Sequence, residues 1–255
     1  MNITAGTLKI EVDQNVSTIT FQHPSHNSMP LSQLHQLRDA ILKEGSNRAS
    51  KIIVLQSAGD RTFCAGANFQ ELASITTIEK ATEFFMGFAQ VILAIRDCQK
   101  LVVGRVQGKA VGGGVGLLAA TDYCLATRRA EMRLSELSIG IGPYVIEPAI
   151  TRKVGKAGFT SLALNPGSWK TSQWGVEHGL YQMCFDDIEA MDQFLTEYLQ
   201  TMVTYSSEAL TKMKALLWEG SENWSFLLEE RANNSAQLLL TGHAQNLIRK
   251  LVSTD

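Results

Sequence analysis

Apolar and polar positions alternate through residues 7–13 (TLKIEVD) and again through 16–22 (VSTITFQ), with Gln14-Asn15 between them. That period of two predicts a β-hairpin. Pro24 breaks the second strand, and Leu31, Leu34, Leu37, Ile41 and Leu42 then recur at helical spacing up to Gly45. KIIVLQS (51–57) is a nearly continuous apolar run, as expected of a strand covered on both faces in a parallel sheet. A turn, GDRTFCAGANF, follows it. Residues 79–97 are amphipathic with a helical period, and LVVGRVQ (101–107) predicts a second fully apolar strand. After it come a glycine-rich turn, a short apolar helix over Val115–Thr121, and two further strands, DYCLAT and AEMRLS.

From Glu147 onward the pattern is helical: one segment through Val154, another over Lys156–Leu164, then Asp186–Thr204, Ser206–Trp218 and Ser221–Leu240. No stretch rich in Pro, Ser or charge marks a linker. The pattern predicts an α/β core of repeated strand–strand–helix units capped by a C-terminal helical region. Trp169, Trp174, Trp218 and Trp224 fall in this helical territory, where packing is their ordinary role.

Composition narrows the function classes. In 255 residues, Lys+Arg 23 against Asp+Glu 25 leaves a net charge of −2 with no basic block, which argues against a nucleic-acid partner. The longest apolar runs are glycine-rich and far short of a bilayer span, and the N-terminal residues show neither a basic start nor an apolar signal region. Cys64, Cys98, Cys124 and Cys184 contain no C-x-x-C pair, and His23 and His26 flank Pro24 without a carboxylate or thiol beside them. A reduced, metal-free, cytoplasmic protein is expected, with no membrane partner.

Two turns place small residues directly after a buried strand: Phe63-Cys64-Ala65-Gly66-Ala67-Asn68, and Gly108 to Gly114 with three successive glycines. Such glycines are entropically expensive. They suit a backbone that must approach a ligand, or N–H groups that must point outward at a helix start, where an oxyanion would be stabilised. A close helix–strand crossing explains them equally well. A dinucleotide fingerprint is met only loosely, and a P-loop is absent.

In their order and spacing, several segments together resemble the crotonase (enoyl-CoA hydratase/isomerase) superfamily. They are His23-Pro24 to Asn27-Ser28-Met29, Phe63 to Phe69, Val106-Gln107-Gly108 with Gly112-Gly113-Gly114, Thr121-Asp122-Tyr123, Ser135 to Pro143, and Glu177-His178-Gly179-Leu180. The resemblance implies a spiral of β-β-α units over 1–195 and a helical trimerisation region over 196–255, giving a homotrimer or dimer of trimers. It implies an acyl-CoA thioester as substrate, with no cofactor beyond the CoA that the substrate carries. The thioester oxygen would sit between the backbone N–H groups of Ala67 and Gly113, with Glu136 as the acid/base. Cys64, Ala65, Asn68 and Gly112 would contact substrate.

Glu136 follows Met132 and Leu134 at alternate positions, so a strand would carry it on the buried face, where its pKa should rise. An exposed glutamate at a strand end is the competing reading. Family hydratases usually carry a second glutamate two residues after the glycine triplet, where this chain has Gly116. Isomerases with a single glutamate are similar in this respect, which favours moving a double bond along the acyl chain. Tyr144 and Glu147, in a bulky loop after Gly142-Pro143, offer replacement polar groups for a methylglutaconyl-CoA-like hydration, although Glu147 also suits the first turn of a helix. A non-catalytic acyl-CoA-binding scaffold is the alternative outside enzymology. Arg105, unusual in an apolar strand, would meet a CoA phosphate, a neighbouring subunit or Asp122.

Overall fold

The computed structural model describes residues 6–253; residues 1–5, on which part of the signal-sequence reading rests, lie outside them. The hairpin forms as expected. Strands β1 (Thr7–Asp13) and β2 (Val16–Gln22) pair antiparallel, and Gln14 and Asn15 both adopt positive φ, the geometry of a tight two-residue turn. Helix α1 (Leu31–Ser46) then leads to a repeated strand pair: β3 (Ile52–Ser57) with β4 (Thr62–Cys64), β5 (Leu101–Val106) with β6 (Lys109–Val111), and β7 (Tyr123–Thr127) with β8 (Met132–Arg133). Between them run α2 (Phe69–Ser74), α3 (Ile78–Asp97) and α4 (Gly113–Ala120).

Each pair splits between two sheets. The first members, with the hairpin and β9 (Met183–Phe185), make a six-stranded sheet in the order β1-β2-β3-β5-β7-β9. The second members make a three-stranded parallel sheet, β4-β6-β8. This is the α/β spiral of β-β-α units.

The apolar runs are explained by cover on both faces of the large sheet. Ile53 and Leu55 point into the main core with α1 and α3, whereas Ile52 and Val54 join Val103 and Leu125 under helix α7 (Ile188–Met202), which supplies Met191 and Leu195. The remaining helices are α5 (Glu147–Ala163), α6 (Ser172–Glu177), α8 (Ser207–Leu217), α9 (Trp224–Leu239) and α10 (Gly242–Val252). α5 contains non-helical Gly155 (φ 69°, ψ 170°), so the two separate segments expected on either side of this residue are both present, joined at a kink.

Several expectations need correction. β4 and β6 were hidden inside the two turns, and β9, α2, α6 and α10 were not anticipated. β4, β6, β9, α2 and α6 are short and carry little periodicity of their own, whereas α10 is eleven residues long with Ala244 and Ile248 buried four apart, a helical period that the sequence did carry. The strand expected over AEMRLS ends at Arg133, and Glu136 opens a 3₁₀ turn (Glu136–Ile139). Trp169 lies outside any helix, between the side chains of Lys109 and Arg133, each over its ring.

Arg105 forms a two-bond ion pair with Asp192 of α7 (2.6 and 2.8 Å), not with Asp122. Asp122 instead accepts from Lys214 Nζ (2.6 Å), Trp218 Nε1 (2.7 Å) and Val102 N (2.7 Å), tying α8 to β5. Asp122 and Lys214 are almost wholly buried (1% and 3% side-chain exposure), whereas Asp192 is 45% exposed. Removing one partner of a buried pair strands the other charge without solvent. Lys214→Ala should therefore cost about 3–5 kcal/mol in urea denaturation, while Arg105→Ala should cost about 1 kcal/mol or less.

Candidate active site

Parallel pairing of β4, β6 and β8 sends three successive turns out of the same sheet edge. Cys64 is in register with Ala110 and Ala110 with Met132, so the residues that follow each strand emerge side by side. The first turn, Ala65 to Ala67, is held by Met29, whose N–H donates to Gly66 O (2.7 Å) and whose carbonyl accepts from Asn68 N (3.1 Å). Met29 and Ala67 thus form a parallel bridge, and in that pattern the N–H of Ala67 points away from Met29. It has no protein acceptor among the described residues.

The second turn is Gly112, which precedes α4. Its N–H donates to Arg133 O, and its carbonyl accepts from Val115 N. Gly113 is the first residue of α4, so its N–H lies among the unpaired donors of a helix start. The two turns touch: a Cβ built on Gly66 would lie 3.4 Å from Gly113 N. Gly66 has φ +85° and Gly112 φ +52°, conformations that disfavour any side chain. On Gly113, a Cβ would fall 2.3 Å from Cε1 of Phe88, so the α3 ring lies directly over this backbone. The glycines answer to both readings of the sequence, close packing and an open amide.

The third turn carries Glu136. Its Oε1 would be 2.7 Å from a Cβ at Gly112, so the carboxylate rests against that bare α-carbon. Its Oε2 is shielded from solvent and has no hydrogen-bond partner. Burial pushes this carboxyl up to about 7, opposed by a hydrogen bond from its own backbone. The glutamate is half-buried, with Oε2 turned inward, and a 3₁₀ turn rather than a strand delivers it.

Ala65, Ala67, Gly112, Gly113, Glu136 and Tyr144 all line one cleft of about 520 Å³, its open mouth included. Its walls are apolar, chiefly Leu72, Phe85, Phe88, Ile139, Ile141 and Ile146. Among the described residues that line it, Glu136 is the sole carboxylate, and there is no lysine, arginine or histidine.

Three expected contact residues are placed elsewhere. Cys64 is fully buried in the core, where burial pushes its thiol up to about 12. Asn68 caps α2 by accepting from Glu71 N (3.0 Å) and donates to Ser28 Oγ (3.2 Å). Glu147 turns along α5 to accept from Thr151 Oγ1 (2.9 Å) and Lys156 Nζ (3.3 Å). As the first helical residue it finds both partners on its own helix, which holds it out of the cleft. No group of three or more His, Cys, Asp or Glu side chains able to hold a metal ion occurs among the described residues. No helix there is long and apolar enough to cross a membrane.

The family model for enoyl-CoA hydratase/isomerase matches residues 11–246. The chain belongs to the enoyl-CoA hydratase/isomerase family. Its relatives include the bacillaene synthase dehydratase PksH of Bacillus subtilis, 28% identical over 178 residues (68% of each chain). The peroxisomal Δ(3,5)-Δ(2,4)-dienoyl-CoA isomerase of Arabidopsis thaliana is 26% identical over 231 residues, covering 84% of this chain and 81% of the relative. An enoyl-CoA hydratase structure from Bacillus halodurans superposes with a TM-score of 0.89 at 22% identity, covering 95% of this chain and 99% of that one. That last likeness is one of fold.

In this member of the enoyl-CoA hydratase/isomerase family, the space beside Gly116 is occupied. A Cβ there would lie 2.2 Å from Cγ2 of Ile146, so α4 packs flush against the loop before α5 and leaves no room for a second glutamate. Ser235 of α9, which the sequence reading did not single out, also lines the cleft. Its signal was present: a serine in the helical stripe Leu228, Ala232, Ser235, Leu239. Phe85 and Phe88, three apart on α3, were signalled in the same way.

The raised pKa of Glu136 has a definite consequence for stability. The unfolded carboxyl ionises near 4.5, whereas the folded one stays protonated to about 7. Between these values the native state binds the extra proton, so ionisation progressively destabilises it, and the penalty is complete above about 7. Glu136→Gln should therefore gain thermal stability over wild type as pH rises through this window, with no further gain at higher pH. A melting-temperature difference that does not change with pH would contradict the burial of this acid.

Proposed function

We propose that the protein is an acyl-CoA double-bond isomerase in which a single carboxyl group, Glu136, moves the proton. The observation that carries this reading is the combination of a lone cleft carboxylate, whose Oε2 is shielded and without a partner, with a filled Gly116 site. Hydration by two acids needs one group to activate water and another to protonate carbon. Isomerisation needs one group that removes a proton and returns it.

In this reading the thioester oxygen accepts hydrogen bonds from the free N–H groups of Ala67 and Gly113. Polarisation of the C=O acidifies C2 of a 3-enoyl thioester. The Glu136 carboxylate takes the C2 proton, and the C–H electron pair enters the C1–C2 bond while charge moves onto the thioester oxygen. Two backbone donors aimed at that oxygen stabilise the charge as it develops, each by about 3 kcal/mol. The same carboxyl then delivers its proton to C4, and a C2=C3 double bond remains. No atom is gained or lost, and the reverse path moves a proton from C4 to C2. A carboxyl poised near 7 suits both halves, because a group close to ambient pH is neither too weak a base nor too weak an acid.

A second reading is hydration, favoured by Tyr144. Its side chain lines the cleft and its ring crosses Gly142, where a Cβ would lie 2.3 Å from Tyr144 Cζ. In that reading its hydroxyl would hold the water. The specifically methylglutaconyl-CoA-like form is disfavoured, because a distal substrate carboxylate would meet no cation in the cleft.

The two reactions separate in one assay. Incubated in ¹⁸O water, the protein should interconvert 3-enoyl-CoA and 2-enoyl-CoA without placing label in a 3-hydroxyacyl product. Its kcat/KM on 3-enoyl-CoA should rise with pH through about 7, and Glu136→Gln should lower kcat by about 100-fold or more. Rapid formation of labelled 3-hydroxyacyl-CoA would establish hydration instead. Binding without turnover, unaffected by Glu136→Gln, would establish a scaffold.

A further inference from the structure

We propose that Ser235 selects acyl chains bearing an uncharged oxygen substituent, a hydroxyl or an oxo group, on the part of the chain away from the thioester. This rests on the reading that the cleft receives an acyl-CoA.

Ser235 is 1% exposed and lines the cleft, yet its hydroxyl makes no hydrogen bond to another described residue. Some helical hydroxyls in this protein return to the carbonyl four residues earlier, as Thr160 does to Lys156 (2.8 Å) and Thr196 to Asp192 (2.8 Å). Ser235 does not. Its oxygen is not sealed from solvent, so water can satisfy it in the open cleft; an apolar chain that displaces that water leaves the hydroxyl unpaired, and a ligand oxygen that pairs with it avoids this loss. The same position on α9 would otherwise take an alanine or leucine, like Ala232 and Leu239 in its stripe.

Position and charge define the ligand further. α9 rests chiefly on α3, the helix that brings Phe85 and Phe88 to the cleft, and on α10. Ser235 therefore approaches from the helical wall, whereas the Ala67 and Gly113 amides belong to the edge of the three-stranded sheet. Leu72, Phe85, Phe88 and Ile141 make the surrounding walls largely apolar. With no cation in the lining and Glu136 already present, a substrate carboxylate would be desolvated without compensation. A neutral oxygen, able to accept or donate one hydrogen bond, fits.

The test uses three 3-enoyl-CoA thioesters of equal chain length: plain alkyl, hydroxy- or oxo-substituted beyond C4, and ω-carboxylated. Wild type should prefer the hydroxy- or oxo-substituted thioester. Ser235→Ala should reduce the ratio of its kcat/KM to that of the alkyl compound by about 10- to 100-fold, with turnover of the alkyl compound kept as evidence of folding. An unchanged ratio overturns the proposal, as does an equal loss on both substrates, which would place Ser235 in catalysis. Preference of wild type for the ω-carboxylated thioester overturns it too. If wild type neither binds nor converts any of the three, the acyl-CoA reading itself fails, and this inference with it.

Discussion

The candidate site depends on one constraint, the parallel pairing of three very short strands. β4, β6 and β8 together contribute few ladder hydrogen bonds, yet their common direction decides where three turns leave the sheet. In open α/β structures, ligands gather at the carboxyl ends of parallel strands because loops from several strands converge there while helix starts face the same space. Here the converging parts are two unpaired amides and one acid. The amides cost little to hold in place, since Met29 bridges the first turn and α4 begins at the second. Their precision derives from glycines packed too closely for any side chain, with Phe88 pressed over Gly113 and the Glu136 carboxylate against Gly112.

Two carboxylates, one buried and one half-buried with a shielded oxygen, show how differently the same chemical group is used. Asp122 is surrounded by donors from β5 and α8 and serves as a structural clasp. Glu136 has an oxygen cut off from water with no donor assigned to it. The first has its oxygens engaged by donors; burial pushes the second up to about 7. A fold gains nothing from the second arrangement. Local destabilisation of this kind, maintained by apolar walls, is the feature on which the proposed proton transfer rests.

Apolar packing also limits what the cleft can do. Ile146 fills the space beside Gly116, so the packing there is set by a methyl group on a neighbouring loop. Glu147, one residue further on, is lost to the cleft because α5 offers it Thr151 and Lys156. The loop between Gly142 and α5 therefore closes off one acid and leaves a phenol, Tyr144, in its place.

Much of this was legible in the chain alone. Nearly continuous apolar runs within 51–57 and 101–107 required a sheet covered on both faces, and the order and spacing of the glycine turns with Glu136 carried the family likeness, because both are local properties of the polymer. Short elements escaped, since three residues of β4 or β6 cannot express a period. The partners of Arg105, Cys64, Asn68 and Glu147 escaped for a different reason: a side chain's direction is decided by what competes for it nearby, and those competitors come from other elements or from the helix it happens to start. Sequence alone determined which residue types were available, in which order, and that one glutamate of the expected pair was missing. Tertiary structure decided which of them share a cleft, that Ile146 occupies the vacant place, and that Ser235 looks into it, because distances between segments remote in the chain are set by packing and not by spacing along it.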